Sequence, residues 1–291
     1  MSTPASWPAR TLLGVSLAAP DTAAAMAAMA AMAPLADVIE LRLDLIPHFD
    51  LARLLAARPR PVVVTYRPVR EGGRYRGAET ARLAVLRAAA ALGAEVIDVE
   101  WDSIDALGSV APARRMISRH YFDGMPADFA AVHAGLAASG AEIVKLVGMA
   151  QRLTDVAPVL ETLATTRVPT VAIAMGVSGV LTRILAPCFY PGAWLTYAAA
   201  GAGQAVAAGQ ISIQELRQRY RAHMLTPATR VCGILSATAN DDPRLATLNA
   251  SGGDTLWAPC QLAPGEDAAA AQAVLARWIT LECGSGAAAL S

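Results

Sequence analysis

One lysine, Lys145, stands in "AEIVKLVGM" (141–149); the remaining lysine-or-arginine positions are all arginine. Arginine does not surrender its proton. A lysine placed in a low-dielectric interior beside other cations is expected to lose its charge and become an amine able to attack a carbonyl. On a strand, Lys145 shares its face with Ile143 and Val147, while Val144 and Leu146 take the other side. An imine-forming lysine needs a proton shuttle, and His120 in "RRMISRHYF" (114–122) is the candidate, one strand earlier. His133 and His223 fall in helical patterns and His48 follows a strand, so these three read as packing or surface histidines. Other chemistry-bearing residues lie in similar runs. They are Glu40, Arg42 and Asp44 at spacing two, Arg67 followed by Glu71 in "REGG", Asp98 and Glu100 on one face, and Arg183 in "GVLTR". The competing reading is a salt-bridged polar layer that only fills the interior, because alternating acids and bases are costly to bury unless they pair. For Lys145 alone, protection of an edge strand is a further alternative, which a closed barrel would not need.

These residues need a scaffold that aims them at one place. Short apolar, β-branched runs recur at 11–18, 37–45, 61–68, 94–101, 114–122, 141–149, 169–176 and 193–200, separated by Ala/Leu-rich helical patterns. Eight such units match an α/β fold of the (β/α)8 barrel type, with active residues at the carboxyl ends of the strands. The rival is a doubly wound open sheet. It calls for a glycine-rich turn after the first strand, and "VSLAAPDT" is not one. "GAGQAVAAG" (201–209) breaks the G-x-G-x-x-G spacing at Val206 and reads as a loop. Between 17 and 35, Asp21 is the expected N-cap and Pro34 the stop of a packed helix too short to span a bilayer. A helix over 212–224 is expected to close the barrel, giving domains at 1–225 and 226–291. The second is expected to be a small βαβα appendage, with its last helix running over "DAAAAQAVLARWITL".

The formal net charge is zero, which argues against nucleic acid as a partner. "MSTPASWPAR" shows no apolar core of a secretory leader. The four cysteines, Cys188, Cys232, Cys260 and Cys283, have no metal-like spacing and suit a reducing compartment, so a cytoplasmic protein without membrane association is expected.

The segments "DVIELRLD", "VVVTYRPVREGG", "EVIDVEW", "MISRHYFDGMP", "EIVKL", "VAIAMGVSGVLTRIL" and "AAGQISIQELR" resemble, in order, the type I 3-dehydroquinate dehydratases of the shikimate pathway. The resemblance covers about residues 10–224 and implies a (β/α)8 barrel with no metal or dissociable cofactor. It implies that Lys145 forms an imine with the C3 ketone of 3-dehydroquinate. His120 then removes the C2 proton and helps expel the C1 hydroxyl as water. It also implies that Glu71 orients His120 and that Arg183 binds the substrate carboxylate. Glu40, Arg42, Arg67 and Gln210 then hold hydroxyls and the ketone. Dimers are common in that family, so a homodimer is one expectation. The usual Ser-Ala-Pro-Gly-Gln loop reads "VAAGQ" (206–210) here, and the usual Ser-Arg pair is Thr182–Arg183. The segment "TPATRVCGILSATANDDPRLATLNAS" resembles the start of shikimate dehydrogenase as found in fused enzymes. It lacks that motif's serines and carries Leu248 where the histidine stands, so a remnant without NADP chemistry is expected. Two other readings stay open: a dehydratase for a related 3-keto cyclitol acid, motivated by the altered loop, and a catalytically silent sensor of pathway intermediates.

Overall fold

Parallel strands buried on both faces call for continuous Val/Ile/Leu runs rather than alternation with polar residues; of the eight runs, "TLLGVSLA", "PVVVTYRP" and "PTVAIAMG" have that character, while "RRMISRHYF" is largely polar. In the computed structural model, which describes residues 7–201, 203–250 and 252–283, they form β1 (Leu12–Leu17), β2 (Val38–Arg42), β3 (Val62–Thr65), β4 (Val96–Glu100), β5 (Arg114–Tyr121), β6 (Ile143–Met149), β7 (Thr170–Met175) and β8 (Leu195–Ala199). The segment "MSTPASWPAR", in which no apolar leader core was expected, falls partly on residues 1–6, outside the described set. The sheet is parallel in the order β7-β6-β5-β4-β3-β2-β1-β8. β7 and β8 then meet through one isolated bridge, Thr170–Ala193, so the sheet is nearly closed into a barrel. Between the strands run α1 (Thr22–Met32), α2 (Leu51–Ala56), α3 (Glu79–Ala91), α4 (Ile104–Leu107), α5 (Phe129–Ala138), α6 (Ala157–Thr165), α7 (Val180–Leu185) and α8 (Ile213–Gln218).

Helix starts follow local chemistry. Asp21, Asp50 and Asp128 each accept a hydrogen bond from a backbone N–H in the first turn of α1, α2 and α5. The helix expected over 212–224 is shorter. It starts at the Ser212 cap and ends by Arg219, and Arg221 takes φ +51°, a left-handed conformation that stops a helix.

Two apolar layers result. Leu12, Val38, Val63, Val96, Met116 and Ile143 belong to the cluster inside the barrel. The larger cluster lies between strands and helices and includes Val144 and Leu146, so Lys145 and Ile143 face inward as strand alternation predicts. After the barrel come β9 (Arg230–Ser236), α9 (Arg244–Ala250), β10 (Thr255–Gln261), α10 (Ala268–Leu275) and β11 (Thr280–Cys283), with sheet order β10-β9-β11. The final expected helix thus stops at Leu275, and "TLEC" pairs with β9 instead, where Thr280 matches Cys232. A short apolar run carrying the β-branched Ile279 and Thr280 suits either state by pattern, and an open sheet edge decides it. No helix of the described residues is long and apolar enough to cross a membrane.

Candidate active site

Register turns the strand pattern into a site. β5 and β6 pair Ser118 with Lys145 and His120 with Val147, so His120 lies one inward position further toward the carboxyl end than Lys145. β3 and β4 pair Thr65 with Asp98, and β1 and β2 pair Ser16 with Glu40. Inside the barrel, apolar side chains therefore give way to polar ones toward the carboxyl ends. A cavity of about 280 Å³ opens there, and Glu40, Arg42, Arg67, Glu71, His120, Lys145, Arg183 and Gln210 all border it. Its apolar wall includes Phe122, Val147, Met149, Ile173 and Met175.

Lys145 is 6% exposed. Its Nζ donates to Glu40 Oε1 at 2.9 Å and Asp98 Oδ2 at 2.8 Å, and lies 4.7 Å from the centre of the Tyr197 ring. The sequence suggested cations around this lysine; the groups in contact are two carboxylates. Ser16 and Thr65 also donate to Glu40. Burial alone would raise Glu40, but Lys145 and Arg42 outweigh it and hold the carboxyl below its ordinary value. Asp98 behaves alike: Arg67 and Lys145 overcome its burial and keep it well below the usual carboxylate range.

Arg67 is a keystone under the cavity. Its Nη1 donates to Glu100 Oε1 at 2.6 Å and Ser118 Oγ at 2.7 Å, and its Nη2 to Asp98 Oδ2 at 2.7 Å. Glu100 also pairs at 2.6 Å with Arg82 of α3, a fully buried arginine. Arg42 is engaged by both oxygens of Asp44 at 2.9 and 2.8 Å. The salt-bridged layer raised as the competing reading is thus real around Arg67, Asp98 and Glu100. It reaches Lys145 through Asp98 and Glu40.

His120 is set differently. Glu71, at the end of the turn after β3, places Oε2 2.9 Å from the His120 main-chain nitrogen and 3.0 Å from Nδ1. An oxygen already accepting the main-chain N–H is best used as an acceptor again, which puts the imidazole proton on Nδ1 and leaves Nε2 as the basic nitrogen. Burial, with Arg67 and Lys145 nearby, lowers His120 well below its ordinary value, so the ring is neutral at pH 7. Burial also pushes Glu71 up to about 7. Phe122 stacks on the imidazole, centroids 5.9 Å apart and planes 9° from parallel. Its ring occupies the space beside Gly72, where a Cβ would meet Phe122 Cζ at 2.3 Å.

Arg183, on α7, is 2% exposed and donates only to main-chain oxygens, Tyr197 O at 3.2 Å and Ala208 O at 3.4 Å. Its Nε finds no partner, and among the described residues no carboxylate pairs with it. Burial lowers it to about 10. A buried arginine without a paired acid has the chemistry to receive an anion. Gln210 turns Oε1 to the N–H groups of Val206 at 2.8 Å and Ala207 at 3.3 Å, tying the loop to itself. His133 bonds Thr170 from α5 and, like His48 and His223, lies outside the cavity lining. Sequence reasoning named Asp98 and Glu100 as inward acids but not as the partners of Lys145 and Arg67, and it did not single out Ser16, Arg82 or Tyr197. Strand period two finds inward residues, whereas partners need the inter-strand register. No group of three or more His, Cys, Asp or Glu suited to a metal occurs among the described residues.

Comparison with known proteins agrees with this geometry. The family model for type I 3-dehydroquinase matches residues 13–226. The chain is similar to the chloroplastic bifunctional 3-dehydroquinate dehydratase/shikimate dehydrogenase of Arabidopsis thaliana, 34% identical over 212 residues, 69% of this chain and 35% of that protein. It thus spans about a third of the plant protein's length. The 3-dehydroquinate dehydratase of Desulfotalea psychrophila is 34% identical over 194 residues, covering 62% of this chain and 85% of its own length. Among solved structures, the 3-dehydroquinate dehydratase of Geobacillus kaustophilus superposes with TM-score 0.61 at 26% identity, over 71% of this chain and 88% of that one. The dehydroquinate dehydratase and shikimate dehydrogenase portion of S. pombe AroM gives TM-score 0.59 at 19% identity, over 96% of this chain and 57% of that one. That last likeness concerns the fold alone, and its coverage takes in the three-stranded sheet. With its barrel, its buried lysine and the family match from residue 13 to 226, the chain belongs to the type I 3-dehydroquinase family, a family of hydro-lyases.

Proposed function

We propose that this chain dehydrates 3-dehydroquinate to 3-dehydroshikimate through an imine on Lys145. The observation that carries the reading is one cavity bordered by the only lysine, a neutral histidine and an arginine without an acid. The amine attacks the C3 carbonyl, and loss of water leaves an iminium. Glu40 and Asp98, both in contact with Nζ, are the acceptors at hand for the ammonium proton. The iminium draws electrons from C2, so His120 Nε2 can take the C2 proton, with Glu71 stabilising the charge that forms on the ring. The resulting enamine expels the C1 hydroxyl, which leaves as water with the proton carried by His120. Hydrolysis of the conjugated iminium then frees the product and restores the amine. In the same reading Arg183 binds the C1 carboxylate. Arg42, Glu40 and the free amide nitrogen of Gln210 meet hydroxyls. Arg67 acts mainly by holding Asp98 and Glu100.

Residues 1–225 carry this chemistry, and residues 226–291 form a dehydrogenase-like remnant without NADP chemistry. Cys188, Cys232 and Cys260 are free thiols, which supports a reducing, cytoplasmic setting. One chain supplies every group named, so the reading holds for a monomer or a homodimer.

Adding 3-dehydroquinate to the purified protein is expected to raise conjugated-enone absorbance. Borohydride added with substrate is expected to fix ligand mass on Lys145. Lys145→Ala should lose about 10³-fold or more in kcat. An unmodified Lys145 together with retained turnover in Lys145→Ala would overturn the mechanism. Faster turnover of a related 3-keto cyclitol acid would instead favour that substrate, given the apolar Val206 and Ala207 on the cavity wall.

A further inference from the structure

The three-stranded sheet reaches the catalytic end of the barrel at two places. Glu266, between β10 and α10, accepts from the N–H groups of Leu153 at 2.8 Å and Thr154 at 3.0 Å, at the turn that follows β6. Asn240, in the turn after β9, donates from Nδ2 to Val177 O at 3.1 Å, while its own N–H donates to Gln261 Oε1 at 3.0 Å. Val177 belongs to the turn joining β7 to α7. Beside it, Gly176 N–H donates to Ala208 O at 3.3 Å. Gly209 backs onto this turn so closely that a Cβ would sit 2.3 Å from Gly176 O. Ala208 O is also one of the two oxygens that hold Arg183, and β10 packs against the helix that carries Arg183. A continuous line therefore runs from Gln261 and Asn240 through Val177, Gly176 and Ala208 to Arg183.

No carboxylate among the described residues fixes the direction of Arg183, so its aim depends on two carbonyls, one of them in the 206–210 loop. That loop is tied within itself by Gln210 and outward through the 176–179 turn. Val177 is 58% exposed, so it does not anchor the turn by burial. We propose that Asn240 is a positioning residue for the site: its grip on Val177 holds the turn, and through it the 206–210 loop and Arg183. The appendage then serves the barrel as a brace. The kinetic part of this inference rests on the proposed dehydratase function; the structural part does not.

The test compares Asn240→Ala and Asn240→Asp with wild type by peptide-resolved hydrogen exchange and by kinetics. Exchange over 174–180 and 203–210 should quicken about tenfold while β2 to β5 are unchanged. KM for 3-dehydroquinate should rise by roughly 5- to 20-fold with kcat within about twofold, as expected when binding groups lose their aim. The aspartate variant, which sets a carboxylate against a carbonyl oxygen, should match or exceed the alanine variant. Unchanged exchange at 203–210 overturns the brace. Exchange quickened throughout, β2 to β5 included, assigns Asn240 a merely structural role and also overturns it. Quickened loop exchange with unchanged KM removes the link to the site. A wild type inert toward 3-dehydroquinate rejects the proposed function alone, and the exchange data still decide the brace.

Discussion

Glu71 Oε2 serves one residue twice, taking the main-chain N–H of His120 and meeting its Nδ1. The two side chains are in hydrogen-bond contact, so the state of one bears on the other. His120 is pushed down by burial and nearby cations, and Glu71 is pushed up to about 7 by burial. Protonating Glu71 removes the anion that fixes the imidazole tautomer. Activity should therefore fall as pH drops through about 7, and Glu71→Gln should lose about 10²-fold in kcat and shed that acid limb. A limb near 7 that persists in the variant assigns the titration to another group. The stability effect has the opposite sense. A carboxyl whose folded value is raised contributes stability that is fully present below its ordinary 4.5 and lost as pH rises through about 7. Glu71→Gln should thus be the more stable protein at pH 8, by up to roughly 3 kcal/mol, and much closer to wild type at pH 4. Denaturant titrations at the two pH values check this.

Arg67, two residues beyond β3, joins Asp98 of β4, Ser118 of β5 and Lys145 of β6 in a single hydrogen-bonded layer. Beneath the layer the inward positions are apolar, Val96, Met116 and Ile143 on β4 to β6 and Val63 below Thr65 on β3, which keeps that side dry. Within it Asp98 answers two cations at once. Asp98→Asn leaves Arg67 and Lys145 short of one negative charge in a dry interior, and should cost about 3–5 kcal/mol in denaturant titrations. A loss under about 1 kcal/mol would mean that Glu40 and Glu100 compensate. Asp98 is held low in the folded protein, so its contribution is present above the ordinary carboxylate value and lost as pH falls below it.

At the scale of the molecule, one apolar cluster runs from the barrel's outer layer into the appendage, where Val231, Ile234, Leu245, Leu256 and Leu275 are buried with it. Arg219 and Arg221 of the segment after α8 donate to Asp242 O, Gly253 O and Thr255 O across the same boundary. Shared burial implies shared cooperativity. Leu256→Ala, at a fully buried position of β10, should lower the stability of the whole chain by about 2–5 kcal/mol in one transition. Two separated transitions in calorimetry, with the barrel's unmoved, would show independent units instead.

The strand runs are legible because burial on both faces demands them, and one lysine among arginines marks the position for which the imine is proposed. Period two told which residues face inward, so Glu40, Arg67, His120 and Lys145 could be named together from the chain alone. What the sequence could not hold is register. Only the paired strands decide that Lys145 sits between two carboxylates rather than among cations, and that Arg67 is occupied by acids while Arg183 is not. The end of α8 at Gln218 and the pairing of Thr280 and Leu281 into β11, where a helix was expected, are likewise set by neighbours in space. An arginine needing two distant carbonyls and a strand needing an open edge are properties of tertiary structure, since their partners lie far away in sequence.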